Sequence, residues 1–269
     1  MYNSLCISDC AFEGYPVPLH GDTKENILTA KEIGFPAVEM HVAWPFDYDW
    51  ESWAEFCAGA GMKISTFGTG LSAGRHGVNL VSFDDYIARK SQDVFKEFIR
   101  AGSVTGANVI FGSMKGTVPG GYTMDAYFDL LYERMMSGVE LCEKLGVNLV
   151  IEAINRYETK IMNTGDSVLE FIRRFDSERV FVHVDTFHMN IEERDMADCI
   201  RACGSKLGHI HFADSNRHYP GAGHIDFRKV VEALQEIGYE GPCAFEYLPL
   251  PNGLEAAQKG YAYMNTMVK

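Results

Sequence analysis

The most regular feature of this sequence is an alternation of short apolar runs with longer stretches of helical periodicity, repeated eight times. Each run has four to six residues and is rich in Val, Ile, Phe or Leu, as the strands of a buried parallel sheet are. The predicted strands are Ser4–Ser8, Ala37–His41, Lys63–Phe67, Asn108–Phe111, Asn148–Glu152, Val180–Asp185, Leu207–Phe212 and Cys243–Glu246.

The stretches between these runs predict helices, and glycines follow them where a left-handed residue is needed to end a helix. Asp22 and Asp166 precede two of the stretches and are predicted to cap them. The helices are predicted over Thr23–Ile33, Tyr86–Val104, Met124–Lys144, Ser167–Phe175 and Phe227–Ile237, and the terminating glycines are Gly34, Gly61, Gly106, Gly146 and Gly238.

Eight strand–helix alternations predict a (β/α)8 TIM barrel that occupies residues 1–269 as one domain. A chain of 269 residues, 46% of them apolar, has the size and core content of such a barrel. A doubly wound open sheet is the structural alternative, but no G-x-G-x-x-G motif follows the first strand.

The charge and the cysteines limit the partners and the location. A net charge of −13 without a basic cluster argues against nucleic acid and anionic membranes, and leaves a small molecule as the expected partner. Seven cysteines without a C-x-x-C pair, and no signal peptide or membrane-spanning run, predict a protein with free thiols in the cytoplasm. A homo-oligomer is compatible with the sequence.

Four consecutive predicted strands end in groups that can bind a metal. Active sites of such barrels lie at the carboxyl ends of the strands, so these side chains should converge there. They would repel one another unless a cation neutralised them. The predicted ligands of one divalent ion are Glu152, Asp185, His211 and Glu246.

Three carboxylates and one imidazole favour Mn²⁺, with Co²⁺ or Mg²⁺ as alternatives, over the nitrogen- and sulfur-rich sites of Zn²⁺. Residues two apart in a strand face the same side, so His183 and His209 should also point into the barrel. We expect them to form a hydrogen-bonded layer beneath the metal rather than to bind it.

Polar loops follow the strands that carry the predicted ligands, and near a metal their side chains become candidates for binding substrate oxygens. Three cations in loops predicted to rim the mouth could meet a substrate carboxylate or could be solvated surface charges: Lys115, Arg75 and His218. Three aromatic residues of the first loops could cover a substrate or simply pack: Phe12, Trp44 and Phe67.

With these motifs the chain resembles the xylose-isomerase-like barrels, specifically the ketose 3-epimerases. The resemblance covers nearly the whole chain and is strongest from Glu152 to Pro251. It implies that Glu152 and Glu246 transfer protons as well as bind the metal. It also implies that Glu158, His188 and Arg217 hold the substrate.

Some motifs depart from that pattern. Ketose 3-epimerases usually have Gly-Glu shortly after the metal histidine, whereas this chain has Ala213-Asp214. The runs I-N-R-Y-E-T, D-T-F-H-M-N-I-E-E and P-G-A-G-H-I-D-F are closer to the branch that includes 5-keto-L-gluconate epimerase. The substrate is therefore predicted as either a free ketose or a keto sugar acid.

The predicted reaction inverts the hydroxyl-bearing carbon next to a ketone. One glutamate removes the proton, the metal stabilises the resulting enediolate, and the other glutamate returns a proton to the opposite face. An aldose–ketose isomerase of the hydroxypyruvate-isomerase type and an inosose dehydratase or lyase are alternatives on the same fold. An endonuclease is disfavoured by the charge, and a non-catalytic sugar-binding protein by the cost of clustering ionisable groups.

Overall fold

Parallel hydrogen bonding joins the predicted strands in the order in which they follow along the chain. The computed structural model describes residues 1–10 and 14–267. Within these residues the barrel strands are β1 Tyr2–Ser8, β2 Ala37–His41, β3 Lys63–Gly68, β4 Asn108–Phe111, β5 Leu149–Glu152, β6 Val180–Asp185, β7 Leu207–His211 and β8 Pro242–Phe245.

The sheet closes because β1 also pairs with β8, with Tyr2 opposite Pro242 and Leu5 opposite Phe245. The predicted TIM barrel is thereby confirmed, and the predicted strand bounds are correct to within two residues. A further two-residue strand, Leu19–His20, pairs with the end of β1. Closure leaves the barrel strands without a free edge and directs alternate side chains into one interior.

Helices follow the strands and cover the outside of the barrel. Their bounds are Thr23–Ile33, Trp50–Ala60, Gly70–His76, Asp85–Thr105, Met124–Leu145, Gly165–Ile172, Thr186–Glu192, Met196–Cys203, Phe227–Glu236 and Gly253–Met264. Short 3₁₀ turns occupy Pro45–Asp47, Ser113–Lys115 and Gly204–Lys206. Among the described residues, no helix has both the length and the apolar character needed to cross a bilayer.

The predicted helix ends are mostly confirmed. Asp22 accepts a hydrogen bond from the backbone N–H of Glu25, and four glycines adopt the left-handed conformation directly after their helices: Gly34, Gly61, Gly106 and Gly146. The prediction for Asp166 is wrong, because its helix begins at Gly165, two residues earlier than predicted. Thr164 is the cap there, and its hydroxyl accepts from the N–H of Ser167.

Two long outer helices pack closely where Gly138 meets Phe95, and a substitution at Gly138 tests this contact. A Cβ added to Gly138 would overlap the buried ring of Phe95 on the neighbouring helix. We expect Gly138→Ala to lower the free energy of unfolding by about 1–3 kcal/mol, as overpacking does. Gly59→Ala is the matched control, because nothing lies within 4 Å of its added Cβ. Denaturant titration should show that this control gains about 0.5–1 kcal/mol, and equal behaviour of the two variants would contradict the packing argument.

Candidate metal and substrate site

The structure brings the four predicted metal ligands together at the carboxyl-terminal mouth of the barrel. Asp185 and His211 lie opposite each other on β6 and β7, Glu152 ends β5, and Glu246 directly follows β8. The Nδ1 atom of His211 is 3.4 Å from Oε2 of Glu246 and 3.8 Å from Oδ2 of Asp185. One carboxylate oxygen of Glu152, one carboxylate oxygen of Asp185 and one ring nitrogen of His211 all lie within 4.8 Å of one another.

The surroundings of His211 test whether this set fits a metal ion. Its Nε2 atom lies 2.9 Å from a carboxylate oxygen of Glu39, whereas its buried Nδ1 has no hydrogen-bond partner in the described part of the chain. Buried imidazole nitrogens normally have a partner. A nitrogen left bare among carboxylates, on a ring fixed from its other side, is typical of a metal-binding histidine. The residues therefore fit a divalent ion.

Arg217 reaches the same carboxylates from the loop after β7. Its Nη1 donates to Oδ2 of Asp185 at 3.1 Å and its Nη2 to Oε2 of Glu246 at 2.6 Å. Its guanidinium lies 4.6 Å from the centre of the Phe187 ring. Arg217 has a φ of +62°, a left-handed conformation that costs energy in a residue with a Cβ. This strained turn directs its side chain over the predicted metal ligands.

The two glutamates expected to transfer protons have different proton affinities. Burial, together with the charge of Glu246, raises the pKa of Glu152 to about 8. Burial acts in the same direction on Glu246, but the charges of His211 and Arg217 outweigh it and lower the pKa of Glu246 to about 2. Two carboxyl groups whose pKa values are pushed apart are the usual basis of an acid–base pair.

His188 and Glu158, two of the predicted substrate ligands, are connected by an asparagine whose role the sequence did not indicate. The Asn155 amide donates to Oε1 of Glu158 at 2.8 Å and lies 2.7 Å from Nδ1 of His188. When the amide donates to Nδ1, the proton of the neutral imidazole is on Nε2. That atom lies 3.8 Å from Oε1 of Glu152, inside the mouth.

One cavity of about 170 Å³ is lined by six of the predicted site residues, namely Glu152, Glu158, His188, His211, Arg217 and Glu246. Such a volume is below the range of about 300–1,000 Å³ that holds drug-sized ligands, and it suits a smaller molecule. Gly112 is needed in its wall, because a Cβ there would overlap Oε2 of Glu152. The remaining wall includes residues that no sequence motif indicated, among them Tyr15, His41, Thr69 and Ser113.

The predicted layer beneath the metal is only partly hydrogen-bonded. The Nε2–H of His209 donates to Oε2 of Glu39 at 2.7 Å, as expected. Both ring nitrogens of His183 lack a hydrogen-bond partner among the described residues, although the ring packs 4.2 Å from that of His211.

The sequence left six residues open as either substrate contacts or packing and surface groups, and those that the structure describes are not in the cavity lining. Lys115 is buried rather than solvated, its Nζ donates to the backbone carbonyl of Glu152, and burial lowers its pKa to about 8. Phe67 is wholly buried and packs 4.8 Å from Trp50 in the core. Trp44 packs against Phe46 and His76, Arg75 is exposed, His218 is half-buried, and Phe12 lies outside the described residues.

Comparison with known proteins identifies a barrel family and relatives that act as sugar epimerases. Residues 27–267 match the family model of the xylose isomerase-like TIM barrel. The chain is 30% identical over 230 residues to a ketose 3-epimerase of Arthrobacter globiformis, covering 82% of this chain and 76% of that protein. It is 32% identical over 231 residues to a D-psicose 3-epimerase of Ruminiclostridium cellulolyticum, covering 84% and 78%.

The fold is also that of solved structures. The crystal structure of D-psicose 3-epimerase from Clostridium cellulolyticum H10 with D-tagatose superposes with a TM-score of 0.83 over 100% of both chains, at 23% identity. At this identity the likeness concerns the fold.

The geometry around His211 predicts one tightly held divalent ion per chain. We expect a chelator to abolish activity and Mn²⁺ or Co²⁺ to restore it, because three carboxylates and a bare imidazole nitrogen share one site. Elemental analysis and turnover should be measured on the same samples before and after chelation. Full turnover by protein whose metal has verifiably been removed would contradict the prediction.

Proposed function

We propose that this chain, which belongs to the xylose isomerase-like TIM barrel family, is a divalent-metal-dependent 3-epimerase of free ketoses. Two relatives that are 30% and 32% identical to it are 3-epimerases of ketoses, so the chain is a carbohydrate epimerase and hence an isomerase. The observation that carries the finer proposal is that Glu152 and Glu246, with different proton affinities, face one small cavity beside Asp185 and His211.

In the proposed reaction the two glutamates work on opposite faces of the substrate carbon next to the ketone. One carboxylate removes the proton, and the other carboxyl group delivers a proton from the other side, which inverts the centre. A divalent ion, with Mn²⁺ proposed first and Co²⁺ or Mg²⁺ as alternatives, supplies Lewis-acid stabilisation of negative charge on the substrate oxygens. Glu152, Asp185, His211 and Glu246 would hold it.

The remaining polar groups of the cavity bind and orient the substrate. The Nε2–H of His188 and the guanidinium of Arg217 can donate to an oxygen on which charge develops. Glu158 accepts from Asn155 and can also accept from a sugar hydroxyl, because a carboxylate oxygen has two lone pairs. The positions of Glu158, His188 and Arg217 around the two glutamates support these proposed roles.

The charges in the cavity favour a neutral ketose over a keto sugar acid. In the described part of the chain, Arg217 is the only arginine or lysine in the lining, and it already donates to Asp185 and Glu246. Lys115 is buried, and its Nζ donates to the backbone carbonyl of Glu152. A substrate carboxylate would therefore enter an acidic cavity without a cation of its own.

The wider predictions fit this assignment. A cavity of this size accepts a small molecule, and the net charge of −13 argues against nucleic acid and anionic membranes as partners. Location in the cytoplasm and assembly into a homo-oligomer stay predictions.

The two-glutamate reaction predicts where solvent hydrogen enters the product. In heavy water, product formed in a single turnover should carry deuterium at the inverted carbon, because the second glutamate delivers a proton that has exchanged with solvent. Glu246→Gln preserves the shape of the side chain but removes its acid–base function, so we expect epimerisation to fall at least about 100-fold. Mass spectrometry and proton NMR of the product measure both effects.

Metal occupancy must be determined on the same Glu246→Gln sample, since Glu246 is also a proposed ligand. Glu193→Gln is the matched control, because that carboxylate contacts Gly165 and Cys199 away from the cavity and should leave activity unchanged. Product without deuterium at the inverted carbon would rule out the two-glutamate route. Deuterium at the neighbouring carbon would indicate an aldose–ketose isomerase.

The buried position of Lys115 predicts that it does not select the substrate. We expect Lys115→Met to change kcat/KM by the same factor for a neutral ketose and a keto sugar acid, because its Nζ bonds to the backbone. Arg75→Gln and His218→Gln provide the comparison at the rim. A rise in KM of roughly 10- to 100-fold for the acid alone, the effect of losing one charge-assisted hydrogen bond, would show that Lys115 binds a substrate carboxylate.

A further inference from the structure

A fully buried carboxylate, Glu39 on β2, lies at the centre of a cluster of histidines below the cavity. Its Oε2 atom is 2.7 Å from Nε2 of His209. Its Oε1 atom is 2.9 Å from Nε2 of His211 and 2.8 Å from Nε2 of His41. The Cys6 thiol also donates to Oε1, at 3.4 Å. Glu39 thus accepts from three imidazoles that belong to two strands on different sides of the barrel.

A carboxylate accepts hydrogen bonds and donates none, so the three imidazole Nε2 atoms must each carry a hydrogen. In a neutral imidazole the lone pair is then on Nδ1. For His211 that is the atom which faces Asp185 and Glu246 and has no hydrogen-bond partner among the described residues. Glu39 therefore selects the ring nitrogen that a metal ion would bind.

The same rule fixes the orientation of His41. With its Nε2–H directed at Glu39, its Nδ1 accepts from the Tyr15 hydroxyl at 2.6 Å. Tyr15 and His41 both line the cavity. Gly68 makes room for this ring, because a Cβ at that position would lie 2.6 Å from it. One carboxylate thus connects the wall of the cavity to the proposed metal ligand.

We propose that Glu39 is a positioning residue of the metal centre, which acts through His211 by fixing its Nε2–H tautomer and its ring orientation. The proposal rests on the proposed function, since it assigns His211 as a ligand. It adds a residue on β2 to a set that otherwise comes from β5 to β8. Glu39 itself contacts neither the cavity nor the other proposed ligands, and its effect is on metal affinity.

The test uses Glu39→Gln, which keeps the shape of the side chain but replaces one acceptor oxygen with a donor NH₂ group. At least one imidazole must then lose its hydrogen bond or move its proton to Nδ1. We expect the dissociation constant for Mn²⁺, measured by calorimetric titration of metal-free protein, to rise roughly 10- to 100-fold, as is usual when the group supporting a metal ligand is lost. Glu193→Gln should bind Mn²⁺ like the wild type.

A spectroscopic measurement separates positioning from a general loss of structure. In ¹⁵N-histidine NMR spectra of wild-type protein loaded with diamagnetic Zn²⁺, His211 should have its metal on Nδ1 and a slowly exchanging hydrogen on Nε2. This measurement needs no variant, so it can overturn the proposal even if Glu39→Gln fails to fold. Metal bound through Nε2 of His211 would overturn the proposal.

The calorimetric outcomes distinguish this proposal from the proposed function. Equal Mn²⁺ affinity in wild type and Glu39→Gln would overturn the role of Glu39 and leave the metal-dependent epimerase intact. A wild type that binds no Mn²⁺ would overturn both.

Discussion

The hydrogen bonds that close the barrel between β1 and β8 are the constraint on which the site depends. They pair Tyr2 with Pro242 and so join the two ends of the parallel sheet. In a closed barrel the inward side chains of distant strands share one interior. Glu39 on β2 therefore meets His211 on β7, although 172 residues separate them along the chain. An open sheet would place these two strands near opposite edges.

Closure also brings three carboxylates together, and the neighbouring groups offset the repulsion between them. Glu152, Asp185 and Glu246 converge where water is largely excluded, so like charges raise one another's energy unless positive groups offset them. Arg217 offsets part of this repulsion. Its backbone is strained, and its guanidinium donates hydrogen bonds to Asp185 and Glu246. From below, Glu39 fixes the ring of His211 so that its bare nitrogen faces the same carboxylates. The space between these two supports fits a cation.

The barrel, and the convergence of the strand-end side chains at its mouth, could be predicted from the sequence because both depend on where the strands end. Apolar runs locate the strands, and a side chain at the carboxyl end of a barrel strand has little choice of position. Glu39 was missed because it lies in the middle of a strand, yet an acidic residue within a buried run is itself a signal of a buried partner. Thr164 and Asp166 are both residue types that cap helices well, and the sequence does not show that the helix begins directly after Thr164. Nothing in the sequence indicated that Lys115 turns inward.

The division between strands and loops determines what in this site can vary. Glu39, Glu152, Asp185 and His211 are held by the hydrogen bonds of the sheet, and Glu246 directly follows β8. Moving any of them would therefore disturb the barrel or the end of one of its strands. Of the groups proposed to bind the substrate, Glu158 and Arg217 come from loops and His188 comes from the short helix Thr186–Glu192. The side chain of Glu158 is 55% exposed. Loops tolerate change in sequence and length far better than buried strands do. The groups proposed to transfer protons are therefore fixed by the fold, whereas Glu158, which is proposed to contact the sugar, lies in a loop that can change more freely.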